Sequence, residues 1–147
     1  CKHLLERIGE KGSILVWYKK FEKGRNKELA RLQPQYAEQL KNINKRIYDL
    51  MEIFYKGFYI DYRFHGSSSL KKVLPVFIPK LSYKDMNIQD GAEAMMQWHK
   101  LVYKNKDLTE KQKQKIKNNL LKYCHHDTLA MVEIWKKLHD LTIQKPA

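Results

Sequence analysis

The sequence predicts an α/β fold in which helices dominate and the sheet is short of strands. Three observations carry this. Ser13-Ile14-Leu15-Val16-Trp17 is a continuous apolar run of strand-forming residues, the pattern of a buried strand. Segments on either side of it, and most of the chain after it, carry apolar residues at steps of three and four. Strand-like runs are too few for a complete sheet, while a strand set between helices is the signature of α/β architecture. With 147 residues, 43% apolar and 12% aromatic, the chain has enough apolar material for one core and is not disordered.

Taken in order, Leu4, Leu5 and Ile8 mark the end of a helix, with Gly9 and Gly12 at its exit. The buried strand follows. Asn26 is a candidate cap for a helix running to about Gln33, and Pro34 suits the first position of another. In that second helix Tyr36, Leu40, Ile43, Ile47 and Leu50 form an apolar face, closed by Tyr48-Asp49-Leu50. Met51 to Tyr62 is rich in aromatics without a helical period and reads as strand or irregular chain. Gly66-Ser67-Ser68-Ser69 is a loop leading into a helical start at Leu70, and Pro75 and Pro79 break the apolar stretch behind it. Asp90-Gly91 is a turn signal, either residue being able to cap a helix from Ala92 to Tyr103, and Thr109 with Gln112 fits a capping box opening the last helix. There Leu121, Cys124, Thr128, Met131, Trp135 and Leu138 make the expected core stripe, with Cys124 read as a core residue.

The charge balance is 29 Lys and Arg against 16 Asp and Glu, a surplus of +13. Such a surplus draws anionic partners, whether nucleic acid, an anionic membrane or an acidic protein, without identifying one. Basic residues concentrate between Lys100 and Lys122, which fits a solvated helix face as well as a phosphate track. No apolar run reaches the ~18 residues of a membrane span, so a membrane-embedded, collagenous or coiled-coil protein is excluded. Two cysteines, Cys1 and Cys124, do not make a disulfide framework and point to a reducing, cytoplasmic setting. A first residue of Cys rather than Met leads us to expect a piece of a longer polypeptide.

Few residues are placed to carry chemistry. Tyr123 and Asp127 lie one turn apart on one helix face, in a stripe with Leu120, Ala130 and Ile134 beside the expected core stripe. Glu22 comes five residues after the buried strand, and in parallel α/β folds functional groups gather beyond the carboxyl ends of strands. Each also has a plain structural reading: a half-buried phenol, a carboxylate where helices meet, an acid in a first helical turn. Two carboxylates from separate elements are the raw material of a Mg²⁺ or Mn²⁺ site, since hard divalent ions select oxygen. Zinc is disfavoured: Cys124-His125-His126 are adjacent on a helix, diverge by about 100° each, and have no second Cys/His pair at zinc spacing. No phosphate-binding Gly-x-x-x-x-Gly-Lys loop, Gly-x-Ser-x-Gly elbow or Gly-x-Gly-x-x-Gly turn occurs.

Read together, strand-then-Phe21-Glu22, Tyr48-Asp49-Leu50, Gly66-Ser67-Ser68-Ser69-Leu70-Lys71, Asp90-Gly91-Ala92-Glu93-Ala94 and Tyr123-Cys124-His125-His126-Asp127-Thr128 occur in a recognisable order. The chain resembles a bacterial family of uncharacterised domains with a ribonuclease-H-like fold, related to DnaQ-type DEDD exonucleases of the Tyr variant. The resemblance spans nearly the whole chain, residues 1–147, as the C-terminal portion of one such domain.

The resemblance implies a two-metal 3′–5′ exonuclease, with Glu22 at the second-motif acid where many relatives have Asp, and Tyr123 and Asp127 matching the third motif Tyr-x-x-x-Asp. It gives Glu22 and Asp127 as ligands of Mg²⁺ or Mn²⁺, and Tyr123 as the group that orients or deprotonates the attacking water. It places Asp49 near the site without a defined role and Lys71 and Lys72 against phosphates. The implied substrate is DNA or RNA, at single-stranded 3′ ends. Two departures stand out. Tyr18 occupies a position where relatives commonly have Asn, and the first motif, Asp-x-Glu, is absent from the chain. The expectation is therefore an activity of the longer polypeptide, with this chain inactive alone. The rival expectation is a catalytically degenerate fold that binds nucleic acid or a protein.

Overall fold

A computed structural model describes residues 1–143 of the chain. Two compact units are present, Cys1–Leu70 and Lys71–Ala147.

The first unit is built on a pair of parallel strands. Helix α1 (Lys2–Ile8) leads through Gly9 and Gly12, both at positive φ, into β1 (Ile14–Val16). Helices α2 (Lys19–Leu32) and α3 (Ala37–Arg46), joined by a 3-10 turn at Pro34–Tyr36, then carry the chain back to β2 (Ile47–Asp49). The strands pair in parallel with Ile14 opposite Ile47, Leu15 opposite Tyr48 and Val16 opposite Asp49. Parallel pairing needs such a crossover because the chain must return to the same end of the sheet. Val16, Leu40, Ile43 and Ile47 form the core, with Leu5, Ile8, Leu29 and Tyr36 packed against it.

Arg46, the last residue of α3, ties down the α1–β1 loop. Its guanidinium donates to the carbonyls of Lys11 at 2.7 Å, Gly12 at 3.0 Å and Gly9 at 2.7 Å. Beyond β2, helix α4 (Met51–Tyr55) supplies Phe54, whose ring stacks on Trp17 at 5.5 Å and meets Phe64 edge-on at 5.7 Å.

Four expectations are corrected in this unit. Strand β1 is not buried throughout, since Leu15 is exposed and Ile14 half-buried in a sheet of two strands. Helix α2 begins at Lys19, seven residues before the expected cap at Asn26, because Asp49 rather than a local side chain satisfies its first N–H groups. The apolar periodicity running to Leu50 is not one helix: α3 stops at Arg46, and Ile47 becomes a strand residue paired with Ile14. Met51–Tyr55 is helical, although its residues carry no clear helical period.

In the second unit, α5 (Leu70–Phe77) contains Pro75, so the chain helicises through a residue expected to break it. Its ring removes one helical hydrogen bond, that of the missing Pro75 N–H, and crowds the carbonyl of Lys71. Helix α6 (Gly91–Tyr103) is capped by Asp90, which accepts from the Glu93 N–H at 2.8 Å. Helix α7 (Glu110–Ile143) opens on the expected capping box: the Gln112 N–H donates to the Thr109 hydroxyl at 3.3 Å, and the Thr109 N–H donates to Gln112 Oε1 at 2.9 Å.

The packed face of α7 is not the expected one. Ile116, Ala130 and Ile134 are buried and Leu120, Tyr123 and Asp127 half-buried, stepping by four and three. Leu121 is 69% exposed, and Cys124, Thr128 and Trp135 are exposed with it. The helix is thus turned so that the stripe holding Tyr123 and Asp127 faces inward. Below it, the Lys137 ammonium donates to the Phe77 carbonyl at 2.6 Å, at the end of α5.

Candidate functional site

Glu22 sits in the first turn of α2, just past β1. It is half-buried, and burial pushes its carboxyl above the usual range. Tyr18, in the left-handed region at φ 73°, turns the chain from strand into helix and brings Glu22 there.

Asp49 has a defined structural role. Its Oδ1 accepts from the N–H groups of Tyr18 at 2.9 Å and Met51 at 3.0 Å, and its Oδ2 accepts from Lys19 N–H at 2.7 Å. One carboxylate at the end of β2 therefore caps α2 and fixes the start of α4. The first turn of a helix has unpaired N–H groups and favours negative charge, and Asp49 meets both needs.

In the second unit the structure brings together Tyr83, Tyr123, His126 and Asp127. The Tyr83 hydroxyl donates to Asp127 Oδ1 at 2.5 Å, and the Tyr83 ring lies 6.2 Å from that of Tyr123 and 4.6 Å from that of His126. Both phenols are pushed well above their ordinary range. For Tyr83 the causes are burial, then its hydrogen bond to Asp127 and the charge of that carboxylate; for Tyr123 they are burial, then the Asp127 charge and a hydrogen bond to it. Burial beside a carboxylate thus favours the protonated form of both phenols.

Gly91, at the start of α6, faces this cluster: a Cβ there would come within 4.0 Å of the Tyr123 hydroxyl. His126 Nε2 is buried with no hydrogen-bond partner among the described residues.

Lys71 is held 3.7 Å from Asp90, and Lys72 is exposed. Lys71 lines a cavity of about 250 Å³ with Tyr83, Lys84 and Asp90. Among the described residues no three His, Cys, Asp or Glu side chains converge as a metal cage. Glu22 and Asp127 are oxygen donors of the type Mg²⁺ and Mn²⁺ select, and such ions are often held by one or two carboxylates with waters and substrate phosphates. Each is a donor of the right chemistry, Glu22 in the first unit and Asp127 in the second.

Sequence reasoning does not find Tyr83, which stands in an irregular segment with no period to flag it. His126 enters that reasoning only as a zinc candidate, because its neighbour in space, the Tyr83 ring, is remote in sequence.

Residues 1–69 match the family described as Domain of unknown function (DUF2779). A longer match, 31% identical over 140 residues, is to a protein of Mycoplasma genitalium named Uncharacterized protein MG366. It covers 88% of this chain but 21% of that protein, so the chain spans about a fifth of the curated relative. No solved structure matches. The two matches support likeness to an uncharacterised bacterial domain family, and neither description names an activity. Among the described residues, no helix is long and apolar enough to cross a membrane.

Proposed function

We propose that this chain is the C-terminal portion of a ribonuclease-H-like, DnaQ-type exonuclease domain, and that the longer polypeptide removes nucleotides from single-stranded 3′ ends of DNA or RNA. The observation that carries the reading is the Tyr123–Asp127 pair. A phenol and a carboxylate one turn apart on the inward face of one helix match the spacing of the Tyr-x-x-x-Asp motif.

Glu22, half-buried just past a parallel strand, supports the same reading, because a carboxylate displaced from water gains from a nearby cation. In this reading Glu22 and Asp127 are the ligands this chain offers to Mg²⁺ or Mn²⁺. The ions would stabilise charge developing on the phosphoryl oxygens. Tyr123 orients the attacking water through its hydroxyl oxygen, and Tyr83 donates to Asp127 and holds that carboxylate in place.

A second reading is favoured by one observation. Tyr83 already occupies Asp127 Oδ1, as expected if Asp127 is a structural acceptor in a catalytically degenerate fold that binds nucleic acid or a protein.

One experiment separates them. The full-length protein containing this chain, with Mn²⁺ or Mg²⁺ and a 5′-labelled single strand, should give a ladder shortened from the 3′ end. Asp127→Asn and Glu22→Gln should each reduce the rate by at least a hundredfold. Absence of products from the folded full-length protein, or an Asp127→Asn variant as active as the parent, overturns the exonuclease reading.

A further inference from the structure

The first unit carries a groove that none of the chemistry above uses. Between helices α2 and α3 lies a cleft of about 540 Å³ with Ala30, Ala37 and Leu40 in its lining, flanked on one side by Lys23, Lys27 and Arg31 and on the other by Lys41 and Lys45. The spacing follows from helical geometry: residues four apart in sequence stack on one face, about 6 Å apart along the axis. One acid, Glu38, also lines the groove and lies 3.6 Å from Lys41. Lys23, Lys27, Arg31 and Lys45 have no acidic partner within 4.0 Å among the described residues.

Like charges four apart on a helix destabilise it. Lys23, Lys27 and Arg31 make two such pairs, whereas Arg25, on another face of α2, has a conventional partner in Glu28 at 2.6 Å. The floor is built rather than merely open. Asn26 Nδ2 donates to Asn44 Oδ1 at 2.9 Å, and Asn44 Nδ2 donates to the Lys23 carbonyl at 3.3 Å, which fixes the spacing of the two helices. Both asparagines are half-buried. A rigid floor between two cationic rows holds the charges in place before a ligand arrives, so little order is lost on binding.

We infer that this α2–α3 groove binds the sugar-phosphate backbone of a single-stranded nucleic acid. Two rows of cations facing one cleft suit a chain of regularly spaced phosphates, and the surplus of +13 over the whole chain attracts such a polyanion from a distance. Contacts to phosphates carry no sequence information, so binding through these cations tolerates any sequence. The choice of nucleic acid over an acidic peptide rests on the function proposed above, but the binding needs neither metal nor hydrolysis.

The test is fluorescence anisotropy of the 147-residue chain with a labelled single-stranded oligonucleotide of mixed sequence, in EDTA, over a salt series. The groove variant Lys27→Ala/Arg31→Ala/Lys45→Ala is compared with an equal removal of charge elsewhere, Lys111→Ala/Lys115→Ala/Lys122→Ala. The groove variant should bind at least tenfold more weakly, and the slope of log K against log salt should fall by about 2, from ~0.7 for each lost phosphate contact to a single strand. The control should lose only a few-fold. The charge-preserving variant Lys27→Arg/Lys45→Arg should retain binding, separating loss of charge from loss of fold.

Equal losses in the groove and control variants overturn the inference, as does the absence of binding by the parent chain. Competition by polyglutamate as effective as that by nucleic acid, at equal charge concentration, reassigns the groove to acidic protein and also overturns it. Because the assay contains EDTA, binding without any exonuclease activity in the longer protein would retire the hydrolytic reading and leave the groove standing. Cleavage that is indifferent to the groove variant, with binding unchanged, would do the reverse.

Discussion

The Tyr83 hydroxyl donates to Asp127 Oδ1 at 2.5 Å, across 44 residues of sequence. Tyr83 is 8% exposed, and Asp127 lies on the inward stripe of α7. A half-buried carboxylate needs donors, and a phenol supplies one while burying its ring. The bond therefore joins the irregular segment after α5 to the longest helix of its unit, at the one acid on that helix's packed stripe.

Replacing Tyr83 with Phe should be costly for its size. The ring and its packing stay, but Asp127 loses a charge-assisted bond and keeps its charge out of water. The expected loss is about 1.5–3 kcal/mol in urea unfolding. A double-mutant cycle with Asp127→Asn should show coupling of at least ~0.5 kcal/mol, whereas additive effects would mean that the contact contributes nothing.

The same contact sets an alkaline limit. Both Tyr83 and Tyr123 have folded-state pKa values raised above the ordinary 10.0. The unfolded chain therefore loses these protons first, so their stabilisation is complete below pH 10 and is lost as pH rises beyond it. Unfolding free energy followed from pH 8 to 12 should fall above about pH 10, and Tyr83→Phe should flatten that limb.

On the acid side Glu52 is one of the carboxylates held below their ordinary range. It pairs with Lys19 and with Lys56, the latter at 2.7 Å, and these ammonium groups hold its carboxyl at about 2 instead of 4.5. The depressed value means stability that is present above pH 4.5 and lost as pH falls toward about 2. Glu52→Gln should flatten the acid limb of the stability profile in that window while leaving the alkaline limb unchanged.

Asp49 offers a sharper test of architecture. Three N–H groups converge on its carboxylate, two of them at the start of α2. Asp49→Ala should cost about 1–3 kcal/mol, more than a single helix cap, because the residues that follow β2 lose their anchor as well. Asp49→Asn keeps one acceptor oxygen and should lose less. If the two variants are equally stable in chemical denaturation, the carboxylate does not have this capping role.

These contacts mark where the sequence is legible. Local signals can be read because the partners are neighbours: the Thr109–Gln112 capping box, the Asp90 cap and the Ile14–Val16 strand all lie where pattern places them. Ile47 cannot be read this way, because its period continues that of α3 and only pairing with Ile14, 33 residues earlier, makes it a strand. The start of α2 is hidden for the same reason, its cap being supplied by Asp49 from 30 residues away. Of the candidate site, Tyr123 and Asp127 are visible as a helical pair, but Tyr83 is not, since nothing in its own segment signals a partner on α7.

The face of α7 is the clearest case of two competing patterns. The stripe Leu121, Cys124, Thr128, Met131, Trp135 and Leu138 is apolar enough to be read as core, yet the helix buries Ile116, Ala130 and Ile134 instead. Large apolar side chains favour the first stripe on pattern alone, because it contains Trp135 and Met131. The second wins through close approach at Ala130, which is 0% exposed, and through the bond that satisfies Asp127. Enlarging each stripe decides between them. Ala130→Leu should overpack the interface and cost about 1–3 kcal/mol. Cys124→Leu, on the exposed face, should change stability by no more than about 0.5 kcal/mol. The opposite ranking in thermal or urea unfolding would turn the helix by about 100°, placing Tyr123 and Asp127 on the solvent side and removing the support they lend to the proposed chemistry.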